Sequence, residues 1–440
     1  MRAVLSLFAV TFVAARAAET YPAIMESLSQ GRQILRPGES LCQENECCYM
    51  SSTEDCSLAK MERGKSYLVY PDAVQSQAQC IFGDAYAFQV IPGETDKLLI
   101  YLQGGGACWS ASTTNVLTMC TTTSTPNGVA GVFDPSNQQN PYASYTIVHP
   151  LYCSGDLWAG NITQSYKHHT GKPVVQVGIY NMLSTVSWIQ AQQQAPSASL
   201  QPHLAKLVVM GCSAGSIGAQ LWGSKLVQTF PADQLAIVPD SYVGVFPPGS
   251  MGPLFYAFGI CTETVGLVPP SLSSACLSKT LTLQAVVAAN MQSIPHIATA
   301  FIQSKLDIVQ QQFYVAVAAT EPVRPLVLTP TAFYDAVNDI FSVYNAENPN
   351  FLSFLVSGGQ HCFTPINLMY DTTGNGPRTN DDAVTSLTSW LAGFPQAPGA
   401  QQQSICEGEL EDPQALGKHH AVSRNTYCST SVVPKSYTQE

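Results

Sequence analysis

Apolar positions along the chain fall into short runs that end in glycine, proline or a polar residue, with helix-length amphipathic stretches between them. Lys97-Leu98-Leu99-Ile100-Tyr101-Leu102 reads as a buried strand and stops at Gly104-Gly105-Gly106. Ser144 to His149 is a second strand, ended by Pro150, and Pro173-Val174-Val175-Gln176-Val177-Gly178 is a third. Leu207-Val208-Val209-Met210 is a fourth, followed by a turn of small residues and a helix-like stretch from Ile217 to Gln228. Leu235 to Asp240 predicts the next strand, and the apolar run Phe351 to Val356 a later one. Helical patterns at Leu281 to Met291, Thr331 to Tyr344 and Asp382 to Leu391 complete an alternation of strand and helix. That alternation predicts an α/β fold, a mostly parallel central sheet with helices on both faces.

The flanks are different. Arg2, the apolar run Ala3 to Ala15 and the triplet Ala15-Arg16-Ala17 form a signal-peptide layout, so residues 1–17 are expected to be a leader and the protein to be secreted. Residues 18–70 are polar and cysteine-dense with no sustained period, a loop-rich lead-in. The catalytic domain is expected at 71–395, and a Gln-, Pro- and Gly-rich tail at 396–440, pinned by Cys406 and Cys428. Fourteen cysteines in an exported chain, with no C-x-x-C pair and no H-E-x-x-H, point to disulfide support and not to a metal site. Asn161-Ile162-Thr163 is a glycosylation sequon and suggests a surface loop. The net charge of −11 disfavours nucleic acid and anionic membranes as partners. No stretch after the leader predicts stable membrane insertion, and the expected state is a soluble monomer.

The chemistry centres on Gly211-Cys212-Ser213-Ala214-Gly215, a G-x-S-x-G pentapeptide between a strand and a helix. That placement suits a nucleophilic serine on a strained strand-to-helix turn. The competing reading of the pentapeptide taken alone is a tight β-α turn with a solvated serine. The second piece is Leu102-Gln103-Gly104-Gly105-Gly106-Ala107-Cys108-Trp109, where glycines let backbone N–H groups approach a ligand. With the N–H of Ala214 this run can form an oxyanion hole; it lacks the spacing and the lysine of a nucleotide-binding loop.

A serine needs a base and an orienting carboxylate, which in α/β-hydrolases follow in the order acid, then histidine. His296, His361, His419 and His420 follow Ser213. His361, in Gly358-Gly359-Gln360-His361-Cys362 directly after an apolar strand, occupies the loop where a base belongs. Asp233, Asp240, Asp307, Asp335 and Asp339 are the candidate acids. Asp335 and Asp339 fall in an amphipathic helix, and Asp240 comes one crossover early and reads as structural. Asp307 has the right position. Cys212 is expected to be a buried strand-end thiol and Cys362 to pair structurally, with the connectivity left open; a nucleophilic or redox-sensing role for one of them is the competing thought.

Together these pieces resemble the pectin acetylesterase/Notum family of carboxylesterases. The resemblance runs from about residue 60 to 395. It is carried by Ala78-Gln79-Cys80 through Gly83, Leu102 to Trp109, Tyr152-Cys153-Ser154-Gly155-Asp156, Gly211 to Gly215, and Asp307 with Gln310. It implies a triad of Ser213, Asp307 and His361, with Gly105, Gly106 and Ala214 as oxyanion donors. Ser216 and Ala107 depart from residues common in plant members, a glycine and a tryptophan respectively. The expected activity is removal of O-acetyl groups from an extracellular polysaccharide such as pectin, without metal or cofactor. The alternatives are Notum-like deacylation of a lipid-modified protein and an inactive carbohydrate-binding scaffold.

Overall fold

The computed structural model describes residues 32, 42, 46–195, 199–262, 265–320, 327–375, 384–396, 401–406 and 436–438. The expected leader, His419, His420 and the Cys428 half of the expected tail disulfide lie outside the described residues.

Eleven strands frame the site: β1 (Glu46–Tyr49), β2 (Tyr67–Tyr70), β3 (Phe88–Ile91), β4 (Glu94–Leu102), β5 (Tyr145–Pro150), β6 (Ile162–Lys167), β7 (Pro173–Gln176), β8 (Leu204–Cys212), β9 (Ala232–Asp240), β10 (Ala298–Ser304) and β11 (Phe351–Val356). Nine of them, with the short strand Ile405–Cys406, make one ten-stranded sheet in the order β1-β2-β3-β5-β4-β8-β9-β10-β11-Ile405. Only β2 with β3 and β3 with β5 pair antiparallel; the other pairings are parallel. The mostly parallel α/β architecture expected from the alternation is the one observed.

Parallel strands need both faces covered, and the side-chain alternation shows how. Leu98, Ile100, Leu207, Val209 and Ile237 enter one core. Their neighbours Leu99, Tyr101, Val208, Met210 and Val238 enter the other. The first core also takes the buried stripes of α1 (Gly178–Gln194), α2 (Ala214–Thr229), α3 (Leu283–Ser293), α4 (Ile308–Thr320) and α5 (Pro330–Glu347). The second core is closed by short helices and loops carrying Phe133, Phe363, Met369, Leu387 and Trp390. Both faces are therefore covered, one by long helices and the other by short ones.

Three expectations change in detail. Pro173–Gln176 is a strand, but it pairs antiparallel with β6 in a separate ribbon. Its burial alternates where that of a central parallel strand would not. The helix expected over Asp382 to Leu391 is a five-residue helix, Leu387–Leu391, preceded by the strand Val384–Ser386. Ser386 sets its start, because its side chain accepts the Ser389 N–H as an N-cap. The lead-in is not only loop: β1 and β2 extend the sheet, beside the Cys42–Cys47 and Cys48–Cys56 disulfides. Cys80–Cys153, Cys108–Cys120, Cys212–Cys362 and Cys261–Cys276 are also joined, so the described cysteines that carry disulfides cluster around the sheet's C-terminal loops as well. Asn161 of the sequon is partly exposed, immediately before β6. No helix among the described residues is long and apolar enough to cross a membrane.

Candidate active site

Parallel strands bring their C-terminal ends to one edge, and every expected site residue lies there. Ser213 stands between β8 and α2 with φ 59° and ψ −124°, a left-handed backbone that a non-glycine residue adopts only when its surroundings impose it. What imposes it is close packing of α2 on the end of β4. A Cβ on Gly215 would lie 2.7 Å from the Leu102 carbonyl carbon and 2.8 Å from that of Gln103, so only glycine fits. Ser213 opens α2, which leaves the Ala214 N–H at the helix's first position without an intrahelical acceptor.

Asp307 follows β10 and directly precedes α4; His361 lies in the loop after β11. The His361 Nδ1 and Asp307 Oδ2 atoms are 2.8 Å apart, with side chains 3 % and 0 % exposed. The first turn of α4 completes the carboxylate's shell: Gln310 donates its backbone N–H to Oδ1 (2.9 Å) and its side-chain amide to Oδ2 (2.8 Å). With the ring proton on Nδ1 facing the carboxylate, Nε2 carries the lone pair. That Nε2 is buried and has no hydrogen-bond partner among the described residues.

Two further ties bring the histidine loop to the serine turn. The Cys212–Cys362 disulfide joins the residue before Ser213 to the residue after His361, with Cα atoms 5.7 Å apart. The expectation of a free Cys212 thiol is corrected: the two cysteines flanking serine and histidine are partners of each other. Their sulfurs and a His361 ring nitrogen lie within 4.8 Å of one another. Two sulfurs joined in a disulfide are not thiolates, so the trio does not fit a metal ion. The second tie is Asp240, at the end of β9. Its Oδ2 accepts from Phe363 N (2.9 Å), Thr364 N (2.7 Å) and Thr364 Oγ1 (2.7 Å), and its Oδ1 from Ser241 Oγ (2.6 Å). Burial pushes this carboxyl above its ordinary pKa, against the pull of those donors.

A pocket opens beside Ser213, lined by Gly106, Trp109, Leu157, Ala214, Ile217, Tyr242, Phe246, Leu254, Phe313 and Val317 among others. Its free volume is ≈ 20 Å³, on the scale of about one water-sized group. Phe313 and Val317 come from one face of α4, and Trp109 is held by its indole N–H donating to Thr320 Oγ1 at that helix's end (3.0 Å). One helix thus follows the acid and walls the pocket.

Of the expected oxyanion donors, Gly106 and Ala214 line the pocket with Ser213. Gly105 does not line it, but its N–H, like that of Gly106, makes no hydrogen bond among the described residues. The Ala107 N–H is taken by Met119 O (3.0 Å). The other candidates lie elsewhere: His296 is exposed before β10, Asp233 pairs with His203 on the surface (2.8 Å), and Asp335 and Asp339 sit on α5.

Sequence reasoning passed over three supporting residues. Gln310 was noted without a role. Buried Asp156 accepts from Ser154 Oγ (2.6 Å), Trp158 N (3.2 Å) and Gly178 N (2.7 Å), and so holds Leu157 and Trp158 in left-handed backbone at φ 59° and 67°. Buried Gln103 takes the Tyr152 N–H (3.0 Å) and donates to Asn127 Oδ1 (2.7 Å). A glutamine at the end of an otherwise apolar strand was the visible signal for it.

The family model described as Pectinacetylesterase matches residues 59–323, more than half of the 440. Among solved structures, the Wnt deacylase Notum from Drosophila is similar at 16% identity and a TM-score of 0.48, over 72% of this chain and 89% of that one. None of the curated proteins matches this sequence.

Proposed function

This chain belongs to the pectinacetylesterase family of carboxylic ester hydrolases, and we propose that it removes O-acetyl groups from an extracellular polysaccharide such as pectin through Ser213, His361 and Asp307. The observation that carries the reading is the buried His361–Asp307 pair, whose second ring nitrogen is unpartnered beside the serine turn. His361 Nε2 takes the Ser213 proton as Oγ attacks the ester carbonyl; Asp307 keeps the imidazole in the correct tautomer and stabilises the imidazolium. The Gly106 and Ala214 N–H groups, with Gly105 behind them, stabilise the oxyanion. The intermediate collapses by breaking the C–O bond to the sugar, whose oxygen takes the proton from His361. Water, giving its proton to His361, then attacks the acetyl-serine and releases acetate.

The pocket supports a short acyl group. A free volume of ≈ 20 Å³ beside Trp109, Phe246 and Phe313 favours the acetyl methyl over a fatty chain. A separate cavity of ≈ 320 Å³ shares Phe246 with it; its lining is mostly apolar, with Lys279, Thr280, Gln284 and Asp339 as polar positions for sugar hydroxyls. Secretion is part of the proposal, resting on the signal-peptide layout of residues 1–17 and agreeing with the disulfides; a monomeric glycoprotein carrying a glycan at Asn161 is part of it too. The test is hydrolysis of p-nitrophenyl esters from acetate to decanoate, with acetate expected to have the highest kcat/KM. Preference for long chains overturns the acetyl reading in favour of lipid deacylation. Ser213→Ala is expected to abolish turnover and labelling by a serine-directed phosphonate; retained activity overturns the mechanism.

A further inference from the structure

The glycine run is permissive backbone, with φ 152° at Gly105 and 69° at Gly106, so something outside it has to fix its direction. Three successive carbonyls are held. Gln103 O accepts the Trp158 indole N–H (3.1 Å), and Gly104 O accepts Arg32 Nη2–H (3.0 Å). Gly105 O accepts the Thr121 N–H (2.9 Å). Arg32 Nη2 also donates to Thr121 Oγ1 (3.1 Å), and that hydroxyl donates to Tyr152 O (2.9 Å). Arg32 reaches this place from the lead-in, where its backbone bridges to Asn127.

A planar trans peptide points the N–H of one residue opposite to the C=O of the residue before it. Holding Gly104 O and Gly105 O on the Arg32–Thr121 side therefore turns the Gly105 and Gly106 N–H groups to the other side. Neither N–H finds an acceptor among the described residues, and Gly106 faces the pocket of Ser213. The Arg32 charge has no structural partner: among the described residues no carboxylate pairs with it. Burial lowers its pKa to about 10, which leaves it charged at neutral pH. What the described structure shows this guanidinium holding is Gly104 O and Thr121 Oγ1.

We propose that Arg32 is a positioning residue for the oxyanion hole, aiming the Gly105 and Gly106 N–H groups by gripping Gly104 O and Thr121 Oγ1. The inference rests on the serine-esterase reading above. It assigns the lead-in a part in the reaction, although Arg32 touches no substrate atom.

The test compares Arg32→Met, Arg32→Lys and Thr121→Val in the full chain on p-nitrophenyl acetate. Misaimed donors are expected to lower kcat about 10- to 100-fold in Arg32→Met, with KM near wild type. The pH profile of kcat/KM should be unmoved, because the His361–Asp307 pair is intact. Binding of a phosphonate transition-state analogue should weaken by the same factor as kcat/KM. Added methylguanidinium should restore part of the rate to Arg32→Met, and Arg32→Lys should lie between. Should Arg32→Met not fold, Thr121→Val carries the same expectation in smaller degree. Wild-type kcat in Arg32→Met and Thr121→Val, with Ser213→Ala inactive, overturns the role of Arg32 and leaves the esterase reading standing. A loss of kcat that tracks a fall in Tm and is not rescued also overturns it. Activity in Ser213→Ala removes the underlying reading and this inference with it.

Discussion

Asp240 ends β9 and Asp307 follows the neighbouring β10; both are fully buried, and both hold the loop that carries His361. They hold different parts of it. Asp307 takes the imidazole N–H and has its remaining acceptor sites filled by one glutamine. Asp240 takes two backbone N–H groups and a hydroxyl from Phe363 and Thr364. Identical side chains one strand apart thus have separate duties, the first setting a proton's place and the second the backbone that presents the ring. Order along the chain already set Asp307 apart from Asp240; the donors that each carboxylate meets supply the physical difference.

The comparison breaks most sharply at Asp307→Asn. An amide in that place cannot select the tautomer, so kcat is expected to fall about 10⁴-fold while urea unfolding stays near wild type. A loss of stability without that loss of rate would exchange the two roles. Asp240→Ala is expected to do the reverse. It leaves buried donors of Phe363, Thr364 and Ser241 unsatisfied and should cost about 3 kcal/mol, read from urea midpoints, with kcat reduced only about tenfold. Stability within experimental error of wild type would remove Asp240 as the anchor.

A smaller effect is expected from replacing Cys212 and Cys362 together by alanine. Loss of that cross-link should cost about 2 kcal/mol and less in rate than Asp307→Asn, because Asp240 still holds the loop. Combining it with Asp240→Ala should cost more than the sum of the two, since they share one loop; simple additivity would show them to be independent.

The smallest effect concerns pH. Burial raises the Asp240 carboxyl pKa, so the folded chain binds this proton more tightly than the unfolded chain does. Its contribution to stability therefore increases as pH falls through the folded pKa and is complete below the unfolded value of about 3.9. Wild type should gain on Asp240→Asn between pH 7 and pH 4 in urea titrations. A relative loss over that window would mean that the four donors, not burial, dominate this carboxyl.

Much of the fold was legible because buried parallel strands announce themselves as continuous apolar runs. β4, β5, β8, β9 and β11 lie where those runs lie. Pro173–Gln176 was read as a strand, but its partner was not, since pairing depends on residues distant in sequence. The strands of the lead-in were missed because Glu46–Tyr49 carries two cysteines and Tyr67–Tyr70 is short, so neither shows a period.

By itself the sequence determined the chemistry on offer: a serine on a strand-to-helix turn, a glycine run, and a later aspartate and histidine in the order that such a mechanism uses. Those signals are local, written in residue type and spacing over a few positions. The tertiary structure alone decided the rest. It set Nδ1 of His361 against Asp307, joined Cys212 to Cys362, tied Asp240 to the histidine loop, walled the pocket beside Ser213 with one face of α4, and brought Arg32 against the glycine run. Each of these is a contact between segments tens to hundreds of residues apart. Hydrogen bonds and packing act over a few ångströms in space, and no periodicity along the chain records which distant segments the fold will place within that range.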